Sequence, residues 1–110
     1  MTDTADAPAS PRERHWRVPA AHPAFPGHFP GRPILPGVVL IDQAIQLADG
    51  LLPAGCTIRG LGNAKFFEPV GPGTPLVFDY ATASTRALAF EVRADDRVVA
   101  SGSFTLGQQT

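Results

Sequence analysis

A proline-rich stretch in the first third of the chain limits what this sequence can fold into more than any other feature. Six of the 12 prolines recur there every three or four residues, at positions 19, 23, 26, 30, 33 and 36. Proline fixes its own φ, lacks an N–H donor and disfavours helical backbone in the residue before it. Helix and regular sheet are therefore both excluded, and residues 19–37 are expected to form a shaped loop.

A helical pattern follows this loop at once. It begins with Pro36-Gly37 and an apolar run over 38–41, and Pro53 ends it. Its polar positions fall at spacings of three and four and form one stripe, while the other positions are apolar. The stripe consists of Asp42, Gln43, Gln46, Asp49 and Gly50. The pattern predicts a single helix, most of which is buried.

Apolar and alternating segments elsewhere in the chain predict about five β-strands. A short edge strand is expected over 12–18, and four more over 57–70, 75–83, 87–94 and 98–106, divided by turn residues. The short links between the last four favour an antiparallel meander. A mostly apolar helix needs apolar surface around it, so the sheet is expected to wrap around this helix in an α+β fold. A sheet edge and a helix flank stay uncovered, which predicts a dimer.

Length and composition limit the number of domains and the kinds of partner. A chain of 110 residues holds one domain, predicted over residues 11–107 with flexible tails at 1–10 and 108–110. The net charge of −1 provides no excess of positive charge for binding nucleic acid or an anionic membrane. No apolar stretch reaches the ~18 residues of a membrane span. The single cysteine, Cys56, is expected to be a small buried side chain in a cytoplasmic protein.

Candidate chemistry lies in the loop and at the start of the helix. Prolines on both sides of His28 remove backbone freedom, which is how a catalytic base is preorganised. Asp42 lies on the first turns of the helix, where its carboxyl group can face the same cleft and act with His28 in acid–base catalysis. The backbone N–H of Gly37 has no intrahelical acceptor and suits a carbonyl oxygen. Gln46, one turn after Asp42, can hydrogen-bond its carboxyl group.

These residues lie in a longer motif. The string Gly-His-Phe-Pro-Gly-x-Pro-Ile-Leu-Pro-Gly-Val-Val-Leu-Ile-Asp over 27–42 resembles the signature of the 3-hydroxyacyl-[acyl-carrier-protein] dehydratases of the hot-dog fold. The run Ala-Lys-Phe-Phe-Glu-Pro-Val over 64–70 resembles the strand that follows the helix in that family. The resemblance implies an antiparallel sheet wrapped around a central helix. It also implies conversion of a 3-hydroxyacyl thioester on acyl carrier protein to the trans-2-enoyl thioester and water, in fatty-acid or polyene-like biosynthesis, with neither metal nor cofactor.

The resemblance implies a role for each matching residue. His28 takes the α-proton, Asp42 serves the departing 3-hydroxyl group, and the Gly37 N–H polarises the thioester carbonyl. The other expected substrate-binding residues are Phe29, Val38 and Gln46. In the family the histidine and the carboxylate come from different subunits, which implies a homodimer or a heterodimer with a related hot-dog subunit.

Two features depart from the general pattern of that family. Asp42 stands where the more general dehydratases carry Glu, a choice that resembles the 3-hydroxydecanoyl dehydratase-isomerases. The part before the proline-rich loop is also short, which implies a minimal variant. The branch within the family, the acyl chain length, and the choice between carrier protein and coenzyme A therefore stay open.

Two other functions compete with dehydration. A hot-dog acyl thioesterase also uses a helix carboxylate, but it has no need of the proline-braced His28. A non-catalytic partner subunit of a dehydratase heterodimer has no use for His28 together with Asp42. Whichever function applies, Phe66 and Phe67 are neighbours on a predicted strand. They are expected to point to opposite faces of it, so that only one of them lines an acyl pocket.

Overall fold

The computed structural model describes residues 12–22 and 34–108 of the chain. This part contains one helix, α1 (Gly37–Leu47), and five strands. The strands are β1 (Glu13–Arg17), β2 (Cys56–Phe66), β3 (Pro75–Ser84), β4 (Ala87–Ala94) and β5 (Arg97–Gln108). One antiparallel sheet with one helix confirms the predicted α+β class. No helix in these two ranges is long and apolar enough to cross a membrane.

The strand order differs from the predicted meander at one strand. The order is β1-β3-β4-β5-β2, so β3, β4 and β5 are consecutive neighbours as predicted, but β2 pairs with β5 and not with β3. The link between β2 and β3 contains Pro69 and Pro72, which cannot donate to a β-ladder. Strand β2 therefore ends at Phe66 and not at the predicted Val70, and the chain crosses to the far side of β4. As a result β1 and β2 are the two edge strands.

Helix α1 begins where the sequence predicts and ends earlier. Pro36 has extended backbone angles, φ −60° and ψ 143°, and Gly37 is the first helical residue. The helix ends at Leu47, and Gly50 has a left-handed φ of 86°. A residue in that conformation stops the helical hydrogen-bond pattern. The last two residues of the predicted polar stripe, Asp49 and Gly50, therefore lie beyond the end of the helix.

Helix α1 buries one stripe of its surface. Leu40 and Ala44 are its buried residues, and they belong to the core cluster that includes Phe78 and Phe104 from the sheet. Val38 and Ile45 are 73% and 40% exposed. The prediction that most of the helix is buried is wrong for the single chain, because one sheet covers only one side of a helix. An apolar flank of α1 thus faces outward.

One buried hydrogen bond joins the helix to strand β3 of the sheet. Tyr80 of β3 donates its hydroxyl group to the carbonyl oxygen of Ala44 at 2.6 Å. Burial of the phenol raises the pKa of Tyr80 above its usual value. The bond fastens the C-terminal half of α1, and with it the helix face on which Asp42 lies.

Replacing Tyr80 with Phe is expected to lower the free energy of unfolding at pH 7 by ~1–3 kcal/mol, because the Ala44 carbonyl loses its buried donor. Since the folded pKa lies above the unfolded one, the wild-type contribution is complete below about pH 10 and is lost as the pH rises through the folded pKa. Urea unfolding from neutral to alkaline pH measures both effects. Tyr80 is the only tyrosine in the sequence, so tyrosinate absorbance follows it directly. An identical alkaline stability profile in the Phe variant would contradict this account.

Candidate functional site

A cavity of about 570 Å³ opens at the N-terminus of α1. Its wall is formed by residues 34–38, by Leu40 and by residues 66–70. The backbone N–H of Leu35 donates to the carbonyl oxygen of Val70 at 2.7 Å, which holds the two segments together. Apart from Glu68, the lining residues are apolar or glycine. The cavity is therefore suited to an aliphatic or aromatic group.

Gly37, the first residue of α1, lies in the wall of this cavity. Helix geometry gives its backbone N–H no intrahelical acceptor, and no acceptor for this N–H is found among residues 12–22 and 34–108. The positive end of the helix dipole adds to its attraction for negative charge. An oxygen that becomes more negative during a reaction is well stabilised here, as the sequence predicts for Gly37.

The ring of Phe66 packs against Gly37. A Cβ atom at position 37 would lie 2.7 Å from Cζ and 2.9 Å from Cε1 of that ring. Phe66 and Phe67 are 50% and 55% exposed, and both line the cavity. The prediction that only one of them lines a pocket is wrong, because β2 ends at Phe66 and the strand alternation stops there.

Asp42 and Gln46 form a hydrogen-bonded pair on the exposed face of α1. The side-chain amide of Gln46 donates to Oδ2 of Asp42 at 2.8 Å, as their i, i+4 spacing predicts. Val38 lies one turn before Asp42 on the same face and is also exposed. The bond restricts the rotation of the carboxyl group, and in the described part of the chain Oδ1 of Asp42 accepts no other bond. That second oxygen is available to a ligand.

The structure brings together only part of the predicted site. Gly37 and Val38 line the cavity, whereas Asp42 and Gln46 are not among its lining residues. His28 and Phe29 lie outside the described residues, so the pairing of His28 with Asp42 stays a prediction. Within one chain the carboxyl group lies on the outward helix face beside the cavity and not in it.

Glu68 is a charged residue of the cavity wall that the sequence analysis did not single out. Arg97 donates its Nε to Oε1 of Glu68 at 2.9 Å. The backbone N–H of Phe67 also donates to the carbonyl oxygen of Val99 at 2.8 Å. Both bonds attach the segment after β2 to the start of β5. The available sequence signal was a charged residue between Phe67 and Pro69.

Comparisons with known sequences find dehydratases. Residues 7–103 match a family model described as ApeI-like, ApeI dehydratase. A 3-hydroxyacyl-[acyl-carrier-protein] dehydratase FabZ of Rhizobium rhizogenes is 35% identical over 88 residues, and one of Fusobacterium nucleatum is 37% identical over 93 residues. Each alignment covers 74% of this chain, but 56% and 64% of the respective relative. The chain thus spans less than two thirds of the length of these relatives.

Comparisons with solved structures find the same arrangement of helix and sheet. The dehydratase heterocomplex ApeI:P from Xenorhabdus doucetiae has a TM-score of 0.75 and 28% identity, covering 87% of this chain and 86% of that chain. A mutant of the fluoroacetyl-CoA-specific thioesterase FlK has a TM-score of 0.59 and 14% identity, covering 86% of this chain and 85% of that one. At such low identity the second likeness shows a shared fold alone.

Proposed function

Because the chain belongs to the ApeI-like dehydratase family and has the hot-dog fold, we propose that it removes water from a 3-hydroxyacyl thioester. The acyl group is carried by acyl carrier protein, and the products are the trans-2-enoyl thioester and water. The main observation that supports the proposal is an apolar cavity whose wall includes Gly37. An acyl chain fits such a cavity, and the Gly37 N–H fits the thioester oxygen. The proposed setting is fatty-acid or polyene-like biosynthesis in the cytoplasm.

The proposed reaction needs neither metal nor cofactor. His28 takes the proton from C2 of the substrate, and the Gly37 N–H stabilises the charge that develops on the thioester oxygen. The double bond forms between C2 and C3 as the C3–O bond breaks. Asp42 gives a proton to the departing hydroxyl group, which leaves as water. Transfer of a proton from His28 to Asp42 then restores the starting state.

The position of Asp42 supports a site shared between two subunits. Asp42 lies on the outward face of α1 beside Val38 and Ile45, whose apolar side chains are exposed in the single chain. Strand β2 is a sheet edge and carries the half-exposed Leu61. A second hot-dog subunit, either a copy of this chain or a related protein, covers these surfaces in the proposal. The relative from Xenorhabdus doucetiae was solved as a heterocomplex, so the proposal includes both choices, and the purified chain tests the first of them.

Light scattering of the purified chain is expected to give a dimer or a higher even assembly. Mixing His28→Ala with Asp42→Asn subunits should restore about a quarter of the wild-type activity, since half of the dimers are hybrids and each hybrid keeps one intact site. Dehydration assays after verified subunit exchange measure this recovery. A fully active monomer, or exchange without any recovery, would place both residues in one chain.

The proposed function is tested by incubating the protein with 3-hydroxyacyl carrier protein. Formation of the enoyl thioester is followed by its absorbance and by the mass loss of one water. Free thiol in place of the enoyl product would identify an acyl thioesterase, and no reaction by folded protein would identify a non-catalytic subunit. Either result overturns the proposal. A parallel reaction with the coenzyme A thioester measures the preference for the carrier.

A further inference from the structure

The contact between Phe66 and Gly37 bears on which substrates the cavity accepts. We infer that Phe66 is a specificity-determining residue, whose ring over Gly37 excludes substrates that carry a substituent on C2, the carbon next to the thioester carbonyl. The inference rests on the proposed function, because it takes the Gly37 N–H as the group that binds the thioester oxygen.

The ring of Phe66 fills the volume that a side chain at position 37 would need. Its Cζ, Cε1 and Cε2 atoms lie 2.7, 2.9 and 3.1 Å from the position of a Cβ atom on Gly37. The ring is nevertheless 50% exposed, so burial in the core does not explain its placement. Phe66 instead forms a wall of the cavity beside Gly37, the first residue of α1.

This wall lies where C2 of a bound substrate comes to rest. An oxygen that accepts a hydrogen bond from the Gly37 N–H is about 2.9 Å from the nitrogen, and C2 is two bonds beyond that oxygen. The nitrogen and Cα of Gly37 are only ~1.5 Å apart, so in the inferred binding pose, with the acyl chain on the Cα side of this nitrogen, C2 lies against the ring. A hydrogen on C2 fits against the edge of the ring, whereas a methyl group there requires the ring to move.

The same contact explains why position 37 is glycine. Among residues 12–22 and 34–108 the glycines with positive φ are Gly50, Gly55 and Gly73. Gly37 is not one of them, so its backbone conformation is open to any residue. Alanine at position 37 would keep the N–H that binds the oxygen. Its Cβ would collide with the ring of Phe66 unless that ring moved, so glycine at position 37 allows the ring to keep its place against the helix start.

The first test compares kcat/KM for a linear 3-hydroxyacyl thioester with kcat/KM for the same compound bearing a methyl group on C2. The wild type is expected to prefer the linear substrate by at least about tenfold, the selectivity available from one methyl group in a tight pocket. Phe66→Leu should reduce this preference by about tenfold, mainly through a gain on the branched substrate. Phe67→Leu removes the same atoms from a neighbouring ring of the cavity and should change the preference by less than about threefold. Equal effects of the two variants overturn the inference.

The second test uses Gly37→Ala in the presence and absence of Phe66. We expect Gly37→Ala alone to lower kcat/KM by about tenfold or more, and to have an effect several times smaller when combined with Phe66→Leu, because the collision is then relieved. Combination with Phe67→Leu should give no such relief. Thermal unfolding of each variant identifies any loss of kcat/KM that comes from misfolding. An equal cost of Gly37→Ala in all three backgrounds overturns the pairing of Phe66 with Gly37.

A binding measurement separates this inference from the proposed function. Acyl-pantetheine amides with a linear or a C2-methyl acyl chain cannot be dehydrated, and their affinities can be measured for the wild type and both Leu variants. If no thioester is dehydrated but Phe66→Leu alone narrows the preference for the linear amide, the proposed function fails and the inference stands. If dehydration occurs but the preference for the linear chain does not depend on Phe66, the proposed function stands and the inference about Phe66 fails. Absence of both reaction and binding overturns both.

Discussion

Replacing Asp42 with Asn is expected to lower kcat/KM for dehydration by about 10²–10⁴ while the fold is retained. The amide has nearly the same shape as the carboxyl group and keeps an oxygen that can accept from Gln46, which donates to Asp42 at 2.8 Å. It cannot supply the proton that the departing hydroxyl group needs. Asp42 is exposed in the single chain, so the change removes no core contact. Steady-state kinetics measure the loss, and circular dichroism checks the fold.

Asp49 offers a matched control for this experiment. It is an exposed aspartate just beyond the end of α1, and the proposed reaction does not use it. Asp49→Asn is expected to change kcat/KM by less than about twofold, as for ordinary surface substitutions. His28→Ala should match the loss in Asp42→Asn. An Asp42→Asn enzyme that works at nearly the wild-type rate would remove Asp42 from the mechanism.

Replacing Phe104 with Ala is expected to lower the free energy of unfolding by ~3–5 kcal/mol. Phe104 is fully buried in β5, and its ring stacks on that of Phe90 with centroids 4.7 Å apart. The substitution removes the aromatic pair and leaves a cavity between the sheet and α1. Domains of this size are stable by only ~5–15 kcal/mol, so the variant should lose a large part of its stability in urea unfolding.

Phe67→Ala removes the same atoms at a position that is already 55% exposed. Its effect on the free energy of unfolding should be less than half that of Phe104→Ala, because far less apolar surface leaves the core. If the two substitutions lower the free energy of unfolding equally, packing between the helix and the sheet stabilises the fold less than the full burial of Phe104 indicates.

Local sequence signals predicted the elements of this fold better than their arrangement. The start of α1 was predicted because Pro36 cannot continue a preceding helix and Gly37 follows it directly. A turn between the fourth and fifth strands was predicted from the turn residues that follow position 94, and Asp95 there has a left-handed φ of 55°. The pairing of β2 with β5 was missed, because it depends on contacts between segments far apart in sequence, on which turn residues carry no information.

In the candidate site, too, local contacts were predicted from the sequence and long-range contacts were not. Asp42 and Gln46 were paired correctly, since i, i+4 neighbours meet on any helix. The contact of Phe66 with Gly37 joins the end of a strand to the start of a helix, and no spacing rule reports it. The exposure of Val38 could not be foreseen either, because the pattern shows that a helix face is apolar without showing how much of it one sheet can cover.

The order of the strands also determines when the sheet can be completed during synthesis. Strands β3, β4 and β5 pair with sequence neighbours and can form early. Strand β2 is made before all three, yet its register joins Cys56 to Gln108. At ~5–20 residues per second, a ribosome needs several seconds to make the intervening chain. Throughout that time neither edge of β2 is paired within the sheet, so its backbone N–H and C=O groups stay open to pairing with other chains.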